Sequence, residues 1–131
     1  MTLQDIREYI VSLKIAKKVY MGKLDAKEQC SIGVYNSKHQ YQFKRALGGF
    51  QNESYGVKHI TLLVHWNKYP ADTEEVAQKL FKALCEARDV VINNKLIKFI
   101  QPLYEVQDVG TDDNGIYEAV IEAAVIYSKE E

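Results

Sequence analysis

The stretch that decides the fold is residues 54–87, which read SYGVKHITLLVHWNKYPADTEEVAQKLFKALCEA. Between Val57 and Trp66 the chain is apolar on both faces, which predicts a strand inside a sheet with further chain packed over it. A short polar break follows, and apolar residues then recur at helical spacing. The stretch therefore predicts a strand followed by a helix that covers it.

The N-terminal segment predicts a helix and then a hairpin. Thr2 and Asp5 have the spacing of a capping box, in which side chains bond the free amides of the first turn. Because apolar residues follow at intervals of three and four, we expect a helix of about three turns. Residues 19–24 and 29–35 are predicted to be the two strands of a hairpin, since the second alternates apolar and polar positions.

The segments that follow Arg88 predict further strands separated by turns. The last strand is inferred because its apolar residues alternate with Glu118 and Glu122. Pro102 lacks a backbone donor, which suggests an edge strand or a bulge around it. The predicted strands are residues 90–92, 96–106 and 116–127, and the predicted turns are residues 93–94 and 108–115. The fold class is therefore α+β, a mainly antiparallel sheet on which an N-terminal helix and one longer helix pack.

Length and composition exclude several classes of protein. The 131 residues suit a single domain spanning 1–131. Seventeen Lys and Arg balance eighteen Asp and Glu to a net charge of −1, so no general basic surface for nucleic acid is expected. No window resembles a membrane span or a signal peptide, which predicts residence in a cytoplasm without membrane contact. Cys30 and Cys85 lack the spacing of a zinc knuckle and are expected to be reduced core thiols.

Residues 36–52 form the least regular part of the chain. They contain adjacent glycines and no sustained period, and loops of this length in compact domains are usually functional or disordered. We expect this loop to contact another protein copy or to fold over the sheet. Basic and aromatic residues also alternate there, so a small nucleic-acid-binding module remains an alternative. The candidate contact residues are Lys38, His39, Tyr41, Phe43, Lys44 and Arg45.

The acidic turn and the histidines raise the question of a metal. Asp112, Asp113 and Asn114 suggest a calcium loop, but a glycine occupies a ligand position and the chain continues into a strand. These three residues are instead predicted to form a solvated hairpin tip that contacts a partner. His59 and His65 would lie ~20 Å apart along a strand, which removes a two-histidine metal site.

The sequence gives little support to catalysis or to binding of a cofactor. His65 is expected to be a hydrogen-bonded core residue. No nucleophile elbow, phosphate-binding loop, dinucleotide fingerprint or zinc-protease helix occurs, so we predict neither an enzyme nor a cofactor. A ligand pocket near the histidines is a third alternative, which a cavity with convergent polar groups would favour.

Two runs of sequence resemble a known family. They are residues 31–84, which contain IGVY, ALGG and LLVHWN, and residues 102–127, which contain DVGTDDNGIYE. Over about three quarters of the chain, residues 30–127, they are similar to small minor capsid proteins of tailed bacteriophages and prophages of Gram-positive hosts. These are in turn similar to the tail terminator and tail completion proteins that join tail to head.

The resemblance implies a structural virion protein with no catalytic residues to transfer. The subunit would be α+β and would assemble with itself into a ring, commonly a hexamer. The ring would cap the tail tube, offer a surface to the head connector and let DNA pass through its lumen without sequence-specific binding. Assembly would take place in the bacterial cytoplasm.

Overall fold

The structure is a computed structural model that describes residues 1–38 and 55–128. Within these ranges the chain forms two helices and seven strands. In chain order they are α1 (Leu3–Ser12), β1 (Lys18–Met21), β2 (Ser31–Asn36), β3 (Tyr55–His65), α2 (Pro70–Glu86), β4 (Arg88–Ile92), β5 (Lys95–Pro102), β6 (Gln107–Thr111) and β7 (Tyr117–Ser128).

The strands form one sheet in the order β1-β2-β3-β7-β5-β4, and β6 pairs with β7 beside β5. All pairs are antiparallel except β1 with β2. The predicted α+β class with a mainly antiparallel sheet is confirmed.

The longest ladder joins β3 and β7 and forms the centre of the sheet. It runs in register from Tyr55 opposite Ser128 to His65 opposite Glu118. On β3 the alternate residues Ile60, Leu62 and Val64 are fully buried, as the sequence predicts for a strand under a helix. The longer helix α2 packs on β3, β5 and β7, while α1 packs on β1, β2 and β4.

The predicted capping box at the start of α1 is confirmed. The Thr2 hydroxyl accepts the amide of Asp5 at 3.2 Å, and the Asp5 carboxylate accepts the amide of Thr2 at 2.8 Å. Asp5 is also bonded by Asn93 and Lys95 from the β4–β5 hairpin. One carboxylate therefore caps α1 and ties it to the edge of the sheet.

The predicted hairpin of residues 19–24 and 29–35 is wrong, because β1 and β2 are parallel. Residues 22–30 carry the chain back along the sheet before β2 starts. At the end of this connection the amide of Cys30 donates to the carbonyl of Trp66 at 2.8 Å, so β2 begins where β3 ends. Hairpin turns usually have two to five residues, and the longer connection permits the parallel arrangement.

The helix α2 begins at Pro70, with Tyr69 as an N-cap that makes no side-chain bond. Two smaller predictions differ from the structure. The predicted turn 108–115 is shorter, since β6 extends to Thr111. Cys30 and Cys85 are free as predicted, but Cys85 is exposed and is not a core thiol.

Pro102 ends β5, beyond the part of that strand that β4 pairs, and the β5–β7 register shifts between Ile97 and Phe99. Pro102 itself pairs with Ala123 of β7 and has no β4 partner, which agrees with the edge position predicted for it; the register shift lies earlier in β5. Neither helix in the part of the chain that the structure describes has the length and apolarity to cross a membrane.

Candidate functional site

The predicted contact residues that the structure describes do not form one patch. Lys38 is exposed and follows β2, near the amide of Ser37 that donates to the carbonyl of His59. The turn with Asp112, Asp113 and Asn114 lies near His65. Along β3, His65 is six residues from His59, a distance of ~20 Å. The other predicted contact residues, His39, Tyr41, Phe43, Lys44 and Arg45, lie outside the described residues. The nucleic-acid alternative rests mainly on them and stays a prediction.

The β6–β7 turn is held by Asp112. One carboxylate oxygen, Oδ1, accepts the amides of Asn114 at 2.9 Å and Ile116 at 3.0 Å. The backbone of Asp112 also bonds Ile116 and Gly115. Gly115 has a φ of +77°, a left-handed conformation that glycine adopts without strain. The predicted hairpin tip is therefore present, and it fixes the Asp112 side chain in one direction.

The side chain of His65, at the end of β3, contacts three other segments of the chain. Its side chain is 1% exposed, as expected for a hydrogen-bonded core histidine. Ring nitrogen Nδ1 lies 2.9 Å from Oε2 of Glu118, and Nε2 lies 3.0 Å from the carbonyl oxygen of Ala26. Nε2 is also 3.7 Å from Oδ2 of Asp112. The end of β3, the start of β7, the β6–β7 turn and the connection before β2 thus converge on one imidazole.

The second oxygen of Asp112 has no hydrogen-bond partner, although Nε2 of His65 lies within ion-pair distance of it. Oδ2 is buried and accepts no hydrogen bond, whereas buried carboxylate oxygens are normally paired. Metal-ligating atoms of His65, Asp112 and Glu118 all lie within 4.8 Å of one another. The arrangement is a buried imidazole with a carboxylate on each side, which is the donor set of a divalent-cation site.

Sequence reasoning missed this cluster because it weighed its parts separately. The sequence predicts a solvated hairpin tip for Asp112 and a hydrogen-bonded core position for His65, and neither prediction relates one residue to the other. The structure brings His65 to Glu118 through the register of β3 and β7, which no local spacing encodes. The one available signal was that residues 112 and 118 flank a hairpin turn and must lie near the end of a paired strand.

Further polar contacts join β2, β3 and β7 away from His65. Glu122 of β7 accepts hydrogen bonds from Thr61 at 2.9 Å and from Ser37 at 3.3 Å. Lys58 donates to Asn36 at 2.9 Å. Each of these contacts satisfies polar groups on neighbouring strands. We infer that these hydrogen bonds stabilise the sheet.

An open cleft lies between the start of α2 and the β6–β7 strands. Its volume is about 200 Å³, and Thr73, Asp108 and Glu118 contribute to its lining. Pockets for small molecules typically measure about 300–1,000 Å³. Neither His59 nor His65 lines this cleft, so it gives no support to the ligand-pocket alternative.

The face of the sheet opposite α2 carries an exposed apolar row. Val57, Ile126 and Phe99 are direct neighbours on β3, β7 and β5. Val57 is 44% exposed and Phe99 is 42% exposed. Ile126 alternates with the fully buried Val125, so this row faces away from the helix-covered core. An apolar row on an open sheet face is typical of a surface that meets another protein.

Comparison with curated proteins gave no match. A protein family described as "Bacteriophage tail terminator protein" matches residues 3–129. The match spans nearly the whole chain and includes every helix and strand of the described ranges. Proteins of this family are structural components of the phage virion that interact with other tail or head proteins. The chain therefore belongs to the bacteriophage tail terminator protein family and is a structural phage tail protein.

Proposed function

We propose that this chain assembles with itself into a ring, of six subunits, that ends the tail tube and joins it to the head connector. The family match over residues 3–129 is the observation that carries the proposal. Ending a tube requires a subunit that binds the last tube ring and presents a different surface on its other side. Heterologous contacts between identical subunits close into such a ring when the rotation between neighbours closes.

The apolar row of Val57, Ile126 and Phe99 supports a protein contact. It joins three strands, so a partner could cover it without rearrangement of the sheet. We assign this row to the contact between subunits of the ring.

The outer strands supply further apolar surface. Val109 on β6 is 52% exposed and Val91 on β4 is 67% exposed. Both strands lie at the same side of the sheet, beyond β7. Outer strands carry unpaired backbone groups and can pair with another chain. We propose that this side meets a neighbouring subunit or the tail tube, while the turn of Asp112, Asp113 and Asn114 reaches a head or tail partner.

DNA passage through the ring agrees with the charge of the chain. The net charge of −1 provides no broad attraction for phosphates. A lumen through which DNA slides should bind it weakly and without reading its sequence, because each phosphate that a cation neutralises adds salt-dependent affinity. In the proposal the DNA is therefore cargo that passes through the ring and is not bound by it.

Deletion of the gene from the phage tests this function. We expect tailless heads and free tubes of excess length in electron micrographs, because nothing would end tube growth or join the tube to the head. Plasmid-borne protein should restore tailed particles. Normal tailed particles after deletion would overturn the proposal.

The ring itself is tested with purified protein. Native mass spectrometry and negative-stain microscopy should detect closed rings of six, either alone or after addition of purified tail tubes to which the subunits bind. If the chain stays monomeric in both conditions, including on the tube end, ring assembly is wrong.

A further inference from the structure

We propose that His65 and Asp112 bind one divalent transition-metal ion, such as zinc, and that Glu118 orients the imidazole for it. The site is built where the ends of β3, β6 and β7 meet the connection before β2. It does not depend on ring assembly, so its test and the test of the proposed function can fail separately.

Glu118 determines which ring nitrogen is free to bind a metal. Its Oε2 lies 2.9 Å from Nδ1 of His65, so this carboxylate accepts the Nδ1 proton. With that proton held, the lone pair of the neutral imidazole is on Nε2. Histidines that bind metals commonly donate their other ring N–H to a carboxylate, which fixes the ring and raises its basicity.

Asp112 supplies a carboxylate oxygen aimed at Nε2. Its Oδ1 is used by the amides of Asn114 and Ile116, so the side chain cannot turn without loss of the hairpin tip. This leaves Oδ2 buried, without a hydrogen bond, 3.7 Å from Nε2. A buried carboxylate oxygen that accepts no hydrogen bond is only partly compensated for its desolvation, and a cation bound between it and Nε2 would complete the compensation.

The spacing of these atoms fits a shared ion. Two ligands that each lie about 2.1 Å from zinc are about 3.4 Å apart in a tetrahedral site. The separation of 3.7 Å between His65 and Asp112 is close to that value. The carbonyl oxygen of Ala26, 3.0 Å from Nε2, would be a third ligand, and water would complete the coordination.

The same contacts also describe a metal-free state. When Nε2 carries a proton it donates to the Ala26 carbonyl, and the ion takes the place of that proton on binding. In this state Asp112 Oδ2 still accepts no hydrogen bond and lies 3.7 Å from Nε2. The competing explanation is that His65 is purely structural: its imidazole links neighbouring segments of the chain and has no affinity for metal. The experiment must distinguish this role from metal binding.

The experiment measures zinc binding to the full chain after treatment with a chelator and its removal. Isothermal titration calorimetry should give one zinc per chain, and zinc should raise the melting temperature. Asp112→Asn is the decisive variant, because its amide oxygen can replace Oδ1 in the turn while the charged Oδ2 is lost. We expect this variant to fold and to bind zinc at least tenfold more weakly.

Two further variants complete the design. Glu118→Gln should weaken binding by about 10–100-fold, the usual effect of losing a carboxylate that orients a ligating histidine. Asp113→Asn, an exposed change in the same turn, should leave binding unaltered. No zinc-dependent shift in melting temperature for the unmodified chain, or equal zinc affinity in Asp112→Asn, would overturn the site.

Discussion

Glu118 faces His65 across the β3–β7 ladder, with Oε2 of the carboxylate 2.9 Å from Nδ1 of the imidazole. The two residues are 53 positions apart in the sequence. The imidazole is buried between this carboxylate and the Ala26 carbonyl, so both ring nitrogens contact acceptors. The pair therefore links the centre of the sheet to the connection that makes β1 parallel to β2.

Glu118→Ala should destabilise the metal-free protein. The substitution leaves a buried ring N–H of His65 without its acceptor, which costs about 1–3 kcal/mol of unfolding free energy. Urea denaturation in the presence of a chelator measures this change. Glu105→Ala, an exposed carboxylate outside the helices and strands, is the control and should change the unfolding free energy by less than about 0.5 kcal/mol. Equal effects of the two variants would contradict the role of the pair.

Acid should weaken the protein through Asp5. Burial alone would raise the pKa of Asp5, but hydrogen bonds from Asn93, Lys95 and Thr2 outweigh it and hold the pKa well below its ordinary value. The unfolded-state pKa of an aspartate is about 3.9. Because the folded-state pKa of Asp5 is lower, the ionised carboxylate stabilises the folded protein above that pH, and this stabilisation is lost as the pH falls below it. We expect the melting temperature to fall between about pH 5 and pH 2.

Asp5→Asn separates this contribution from general acid effects. The variant should lose about 1–3 kcal/mol at pH 7, because hydrogen bonds to a charged group are lost, and the deficit should shrink towards pH 2. Melting curves across this pH range measure both quantities. A deficit that is the same at every pH would show that the Asp5 charge is not the cause. Asp113→Asn serves as the exposed control on another turn.

The two asparagines of the β4–β5 turn should respond differently to glycine. Asn93 and Asn94 have φ values of 51° and 63°, so both occupy the left-handed region of a two-residue hairpin turn. Asn94→Gly removes strain and should leave stability within about 0.5 kcal/mol or raise it. Asn93→Gly also removes the bonds that its amide donates to Asp5 and Glu8. We expect it to cost about 1–2 kcal/mol in urea denaturation, and equal values for both variants would refute this difference.

Local pattern predicted the elements of this fold better than their arrangement. The alternation against Glu118 and Glu122 identified β7, and the Thr2–Asp5 spacing identified the start of α1. The same alternation carries no information on strand direction, so β2 was placed in a hairpin with β1. The direction is set by long-range bonds such as that from Cys30 to Trp66, which local sequence does not reveal.

The candidate metal site could not be predicted from the sequence, for the same physical reason. Its ligands come from β3, β7 and a turn, and only the register of one ladder brings Glu118 to His65. The predicted contact residues Lys38 and Asp112 are a second case in which the sequence does not reveal the arrangement. Lys38 and Asp112 lie at separate ends of the sheet, because β2 and β3 run the full distance between them. Lys38 and Asp112 therefore lie on separate surfaces.

Gly56 of β3 should resist substitution because of Tyr127. The glycine is paired with Tyr127, and a Cβ at residue 56 would lie 2.5 Å from the ring carbon Cζ. Gly56→Ala should therefore cost about 1–3 kcal/mol, as expected for overpacking. In a Tyr127→Ala background the same change should be neutral or stabilising, since the ring is gone and alanine is the better strand residue. A double-mutant cycle by urea denaturation measures this coupling, and additive effects would exclude it.

Phe99 should matter for assembly more than for folding. Its side chain is 42% exposed in the apolar row with Val57 and Ile126, so Phe99→Ser removes contact area for a partner together with the packing of the buried part of the ring. We expect the variant to fold with a melting temperature lowered by several degrees, yet to form fewer rings in native mass spectrometry below that temperature and to restore fewer tailed particles to a gene-deleted phage. Tyr69→Ser is the matched control, since Tyr69 is 67% exposed at the start of α2, outside the row. If both variants restore tailed particles equally, the apolar row is not a contact between subunits, because a subunit interface should be sensitive to loss of a central aromatic side chain.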